Sequence, residues 1–158
     1  MVIIRDYEPS DDSRVWDILH ASLAAYGLFV DPTGADSDLR DVHRSYFASG
    51  GVFRVLQGNS DIYGMYGLRN EGDAVAELRK MYLDPLQKGK GYGKRMLRDA
   101  IEVASRLGFE RITLETNDVL FEAIGLYRSF GFVDASRKQF SRQCDRAMEL
   151  QIAPTKSV

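Results

Sequence analysis

The sequence predicts a mixed α/β domain: a central, mostly antiparallel mixed sheet of about seven strands flanked by about four helices. Three observations predict it. The elements alternate in the order β-α-α-β-β-β-α-β-α-β-β, one stretch is a clear amphipathic helix, and the composition is that of an ordinary globular chain. At 158 residues, 44% hydrophobic and 28% charged, the chain fits one domain with a sizeable core. We place that domain at residues 1–153, followed by a short polar tail, 154–158.

Val2 to Tyr7 reads as the first strand, and Pro9 to Asp12 as a turn into a helix capped by Asp12 or Ser13. Val15, Trp16, Leu19, Leu23 and Tyr26 recur there at helical spacing, which predicts a core role for Trp16 and Tyr26. Gly27 to Ser37 is a loop, and Asp38 to Ser49 a second short helix closed by Gly50 and Gly51. Strands Val52 to Gln57 and Ile62 to Leu68 flank the turn residues Gly58 to Asp61. The fourth strand, Ala74 to Leu83, breaks simple alternation, because Met81 and Leu83 share a face with Glu77 and Arg79; a bulge or a splay explains this. Lys94 to Leu107 is the amphipathic helix, with Met96, Leu97, Ala100, Ile101, Ala104 and Leu107 in one stripe and Gly108 as terminator. Arg111 to Glu115 is the fifth strand. Asn117 can cap a helix running to Phe130, and Phe132 to Phe140 and Arg146 to Ile152 are the closing strands.

Several function classes are disfavoured. The longest weakly polar run, Ala21 to Val30, is ten residues, far short of the ~20 that span a bilayer. Arg5, Asp6, Glu8, Asp11 and Asp12 leave no secretory apolar core in residues 1–12. The single cysteine allows no internal disulfide, and two histidines make a metal cluster improbable. A soluble cytoplasmic protein with no metal and no membrane partner is expected. Charge placement is more informative. The net charge is −2, yet residues 79–98 hold seven basic side chains and one acidic one, so the other 138 residues carry −8. One confined basic segment in an acidic chain fits a single anionic ligand better than a nucleic-acid surface, so no nucleic-acid partner is expected.

That segment contains Gln87-Lys88-Gly89-Lys90-Gly91-Tyr92-Gly93-Lys94, between a strand and the amphipathic helix. Three alternate glycines let backbone approach a ligand without Cβ interference. The free N–H groups of a helix start and its dipole favour an anion. A Walker loop would need Gly at 88 and Ser or Thr at 95, where the chain has Lys88 and Arg95. A dinucleotide fingerprint would need Gly at 94, which is Lys. A phosphate cradle of another kind remains.

The stretch ELRKMYLDPLQKGKGYGKRML resembles the acetyl-CoA-binding core of the GNAT superfamily of N-acetyltransferases. Lys88-Gly89-Lys90-Gly91-Tyr92-Gly93 fills the motif Q/R-x-x-G-x-G/A with Lys in the first position, and Pro85 precedes it by three residues. Ala123-Ile124-Gly125-Leu126-Tyr127-Arg128-Ser129-Phe130-Gly131-Phe132 resembles the signature A-x-x-L-Y-x-x-x-G-F near the last helix. Where many members have Asn, this chain has Leu120. The resemblance covers about residues 2–153, the first 50 in element order more than in motif.

It implies transfer of an acetyl group from acetyl-CoA, the cosubstrate, to a small-molecule or protein amine in a ternary complex. The backbone of Lys88, Gly89, Lys90, Gly91, Tyr92, Gly93 and Lys94 would hold the pyrophosphate. The strand backbone at Tyr82 and Leu83 would pair with the pantetheine arm, and an amide near Met81 would polarise the thioester carbonyl. Glu77, fourteen residues before Gly91 as is the catalytic glutamate of the superfamily's histone acetyltransferases, is the candidate base, with Glu115 in reserve. Tyr127 matches the tyrosine that protonates the leaving thiolate. Cys144 reads as structural rather than as a covalent acetyl carrier, and His20 and His43 as packing or surface residues.

A non-catalytic acyl-CoA sensor is the alternative, and a nucleotide-binding module a third reading. The acceptor pocket is expected from Gly27 to Ser37, the strand around Met65 and Tyr66, and the loop from Ser136 to Asp145. Those stretches mix acids (Asp31, Asp36, Asp38) with bases (Arg137, Lys138, Arg142) and so choose no acceptor class; the acids would suit a cationic acceptor, and a solvated loop explains them as well. Edge strands at the closing end allow a homodimer.

Overall fold

A computed structural model of the chain describes residues 1–155, so the expected polar tail lies outside the described residues from 156 onward. Seven strands, β1 (Ile3–Asp6), β2 (Val52–Gln57), β3 (Ile62–Gly72), β4 (Val75–Leu83), β5 (Arg111–Thr116), β6 (Val133–Ala135) and β7 (Arg146–Gln151), form one sheet in the order β1-β2-β3-β4-β5-β7-β6. Every neighbouring pair is antiparallel except β4 and β5.

The sheet is covered on both faces. Helix α2 (Tyr92–Arg106) turns Met96, Leu97, Ala100, Val103 and Ala104 onto Leu68, Ala76, Leu78 and Ile112. Its end is closed by Phe109 N–H donating to the Ala104 carbonyl at 3.0 Å, with the Phe109 ring buried. Helix α3 (Phe121–Ser129) adds Tyr127 to this layer. On the opposite face α1 (Asp12–Ala24) buries Val15, Ile18, Leu19 and Leu23 against Phe53, Val55 and Met65. A π-helical turn, His43–Phe47, completes that layer through Tyr46. Adjacent residues of β3 serve opposite faces, Met65 one and Tyr66 the other, as strand geometry requires.

Several expected elements differ. Neither Asp12 nor Ser13 caps α1, which begins at Asp12 with Asp11 in the N-cap position and no side-chain cap bond. The segment from Asp38 to Ser49 is not one helix: a 3-10 turn, Ser37–Arg40, stops at Asp41, whose backbone is non-helical (φ −150°, ψ 84°) and whose side chain accepts the Arg44 N–H at 3.0 Å. Asn117 does not cap α3. Its side chain accepts the Val119 N–H at 2.9 Å and donates to the Gln143 carbonyl at 2.7 Å, so the helix starts only at Phe121. Strand β6 ends at Ala135 instead of Phe140, because the chain leaves the sheet edge and Ser141 and Arg137 turn in to Glu115.

The broken alternation of the fourth strand has both expected causes. Met65 pairs with Tyr82 but Gly67 pairs with Arg79, so β4 carries one extra residue, and Lys80 sits there with φ of 55°. The bulge lets consecutive side chains reach one loop: Arg79 Nη2 and Lys80 Nζ both donate to the Ala35 carbonyl, at 3.0 and 3.1 Å. A regular strand would send them to opposite faces. The splay is the second cause. β4 pairs with β5 only over Val75–Glu77, and beyond Glu77 the two strands separate.

Candidate active site

Where β4 and β5 part, a cleft of about 460 Å³ passes between the two covered faces. Leu23 and Leu28 line it from the α1 side, Met96, Leu126 and Tyr127 from the α2–α3 side, and Glu77 from the point of divergence. The opening is a direct product of topology. A parallel pair needs a crossover, here α2, and the start of α2 therefore lies at the open end of β4.

That start exposes a run of backbone donors. Asp84 accepts the Leu86 N–H at 2.9 Å and, with Pro85, turns the chain out of β4. Gly89 and Gly91 both have φ of 81°, a left-handed conformation that costs a side-chain-bearing residue about 1–2 kcal/mol. A Cβ at either would project into open space, with no protein atom within 4 Å. Six successive amides, Gly89 to Lys94, have no protein acceptor among the described residues. Arg95 is the first whose N–H closes a helical turn, onto the Gly91 carbonyl at 3.1 Å. Unpartnered amides, a helix dipole and nearby ammonium groups suit a diphosphate.

Of the residues predicted from sequence, Met81, Tyr82, Leu83, Lys88, Gly89, Gly91, Tyr92, Gly93 and Lys94 line the cleft. Lys90 does not; its ammonium turns aside to Gln87 Oε1 at 2.9 Å. Lys88 is tethered, its Nζ 3.1 Å from Tyr26 Oη and 4.0 Å from Glu122. Asp84 N–H donates to the Tyr63 carbonyl at 2.7 Å, so by strand alternation the Leu83 amide faces away from β3 toward the cleft. On that side the Leu83 carbonyl accepts from Ser22 Oγ at 3.2 Å.

Both candidate carboxylates line the cleft, deep among guanidinium groups. Glu77 Oε1 accepts from Arg79 Nη1 at 2.6 Å and is 3.7 Å from Arg69, while Oε2 has only a 3.5 Å contact with Arg137. Glu115 is more fully engaged, one oxygen on Arg137 at 2.6 Å and the other on Ser141 Oγ at 2.7 Å. Burial alone would raise the Glu115 carboxyl, but the Ser141 and Arg137 hydrogen bonds outweigh it and hold the group below its ordinary value. Tyr127 is buried, and its hydroxyl has no hydrogen-bond partner among the described residues; burial pushes it up to about 12. It is therefore a protonated phenol at neutral pH. Burial, reinforced by the Glu115 charge, pushes the Cys144 thiol up to about 11, which leaves it un-ionised and a poor nucleophile.

Met65 and Tyr66 do not reach the cleft. Met65 packs in the α1 layer, and Tyr66 in the α2 layer, where its hydroxyl donates to Asp99 at 2.6 Å. Tyr26, expected in the core, instead stands on the cleft wall with Lys88 over its ring. Of the three aspartates that would suit a cationic acceptor, Asp36 and Asp38 are taken, 3.1 and 3.2 Å from Lys80 Nζ with Tyr46 Oη donating to Asp38, and Asp31 accepts the Ala35 N–H at 3.3 Å and does not line the cleft. Sequence reasoning named Arg137 only as a base of the acceptor loop, and missed Ser22 and this salt-bridged cluster. The adjacent basic pair Arg79-Lys80 in a strand of mixed alternation was the available signal.

Among the described residues no helix is long and apolar enough to cross a membrane. The Acetyltransferase (GNAT) family profile matches residues 15–132. The uncharacterized N-acetyltransferase YjgM of Escherichia coli K12 is 33% identical over 136 residues, covering 82% of this chain and 81% of the relative. A GNAT-family acetyltransferase from Staphylococcus aureus Mu50 superposes with a TM-score of 0.87 at 23% identity, over 96% of this chain and 99% of the other. A phosphinothricin acetyltransferase from Sinorhizobium meliloti, solved with acetyl-CoA, superposes with a TM-score of 0.76 at 20% identity, over 99% and 95%.

Proposed function

From the premise that this chain belongs to the GNAT family of acetyltransferases, we propose that residues 1–153 form a single N-acetyltransferase domain that acetylates a primary amine with acetyl-CoA. The run of six acceptor-less amides at the start of α2, beside the splayed strands, carries this reading.

Acetyl-CoA supplies the acetyl group already activated as a thioester. The amides of Gly89 to Lys94 bind its diphosphate, and the Lys94 ammonium adds charge at the helix start. The Leu83 backbone pairs with the pantetheine amides, and the Met81 amide donates to the thioester carbonyl, where charge grows during attack. Glu77 takes the proton the acceptor ammonium must lose. Its Oε2, held only by a long Arg137 contact, is the freer oxygen, whereas both Glu115 oxygens are engaged. Tyr127 gives its proton to the departing sulfur, and the absence of any partner for its hydroxyl among the described residues supports that role.

The test is thiol release from acetyl-CoA across a panel of primary amines, with products identified by mass. One N-acetylated product formed at a rate proportional to enzyme is expected. Tight CoA binding with no product from any amine would overturn catalysis and leave an acyl-CoA sensor.

A further inference from the structure

The charges around the cleft select among amines, an inference that rests on the acetyltransferase reading. Each carboxylate on its wall already has a cation: Asp36 has Lys80 at 3.1 Å, Glu77 has Arg79 at 2.6 Å, Glu115 has Arg137 at 2.6 Å, and Glu122 has Lys88 at 4.0 Å. Two cations on the wall have no carboxylate partner among the described residues, Lys94 and Arg142. Lys94 belongs to the phosphate cradle. Arg142 stands on the loop between β6 and β7, against Phe29, whose neighbours Leu28 and Val30 pack in the α1 layer, on the other side of the sheet from α2.

Arg142 is also held in place. Its guanidinium carbon lies 4.9 Å from the centroid of the Phe29 ring. Phe29 is in turn fixed by the next residue along the loop: Gln143 Oε1 accepts the Phe29 N–H at 3.0 Å, and Gln143 Nε2 donates to the Phe29 carbonyl at 2.7 Å. Gln143 adopts φ of 66°, a strained conformation for a residue with a side chain. A guanidinium held over an aromatic ring spends no N–H group on that contact, and N–H groups left free in this way match a carboxylate in paired hydrogen bonds.

We propose that Arg142 binds a carboxylate of the acceptor, and that the acceptor is therefore a small amine of the amino-acid type. A polyamine meets no uncommitted carboxylate on this wall. A cationic acceptor, one of the classes the sequence leaves open, loses its support on this wall, because Asp36 and Asp38 neutralise Lys80 and Arg79 and Asp31 does not line the cleft.

The test pairs each of a set of amino acids with its own carboxamide and adds spermidine, using the full chain and acetyl-CoA. The amide's amine is the less basic of each pair, so without recognition the amide would react at least as fast near neutral pH. The best amino acid is expected to exceed its amide at least about tenfold in kcat/KM, the worth of one charge-assisted pair. Arg142→Gln should shrink that gap to within about threefold, through KM, with acetyl-CoA affinity by calorimetry unchanged. Arg44→Ala, which removes an equal charge from an exposed site on the π-helical turn, should keep the gap. The inference is overturned if the wild type uses amides or spermidine as well as amino acids, if it turns over no amino acid, or if the gap survives Arg142→Gln. Failure to bind acetyl-CoA in the same calorimetry would instead sink the acetyltransferase reading, and this inference with it.

Discussion

Replacing Glu77 with Gln separates two roles of one carboxylate, the proposed proton acceptor and the anchor of a guanidinium cluster. The amide keeps an oxygen for Arg79 Nη1, now 2.6 Å away, but loses the charge. The bond to Arg79 stays charge-assisted from the guanidinium side only, so the change costs about 1–2 kcal/mol, part of the ~1.5–3 kcal/mol that a hydrogen bond to a charged group is worth. The ~3–5 kcal/mol of a fully broken buried pair is not reached. Arg79 retains the Ala35 carbonyl at 3.0 Å and Asp38 at 3.4 Å, and Arg137 retains Glu115 at 2.6 Å. For a domain of this size each kcal/mol moves Tm by about 2–4 °C, so a fall of roughly 2–8 °C is expected. Loss of the sole base should lower turnover by about 10²–10⁴, about 3–5 kcal/mol of barrier. Thermal melts followed by circular dichroism, and steady-state rates at 25 °C on the same preparation, read the two effects independently. A folded variant within tenfold of wild-type turnover refutes Glu77 as the base. An unchanged Tm refutes its role as anchor.

Gly91→Glu should abolish CoA binding by calorimetry, since a carboxylate would enter the phosphate cradle; retained binding would remove the loop from the site. Tyr127→Phe should slow turnover with CoA affinity nearly unchanged, and full activity in the folded variant would eliminate the hydroxyl as acid. The buried carboxylates also predict an acid limit. Burial would raise Asp38, but Lys80 and Arg79 outweigh it and hold the group low, as Ser141 and Arg137 do for Glu115. Groups depressed in the folded state contribute stability that is present above their unfolded values, about 4, and is lost as the pH falls through the folded ones. Tm should therefore drop below about pH 4, and Asp38→Asn should flatten that drop; equal slopes for the two proteins would contradict the assignment.

The parts of the molecule legible in its sequence are those whose determinants are local. The stripe from Met96 to Ala104 fixes α2, and the alternate glycines before it mark the cradle, because period and backbone freedom are properties of neighbouring residues. The bulge in β4 was visible as a conflict of pattern, although not its purpose. What stayed hidden depends on partners distant in sequence. Glu77 lies at the splay only because β5 pairs with three residues of β4 and no more. Asp36 and Asp38 read as open acids until Lys80, over forty positions on, folds back onto them. Arg142 reaches the cleft, and Arg137 the carboxylates Glu77 and Glu115 on its wall, because β6 stops after three residues, which its apolar content did not foretell.

The central claim, that the amides before and at the start of α2 grip the diphosphate of acetyl-CoA, can be read amide by amide. In a ¹H–¹⁵N NMR titration with CoA, the resonances of Gly89 to Lys94 should show the largest shifts, and dephosphorylated pantetheine should leave them nearly still. Saturable CoA binding that leaves those six signals unmoved would contradict it.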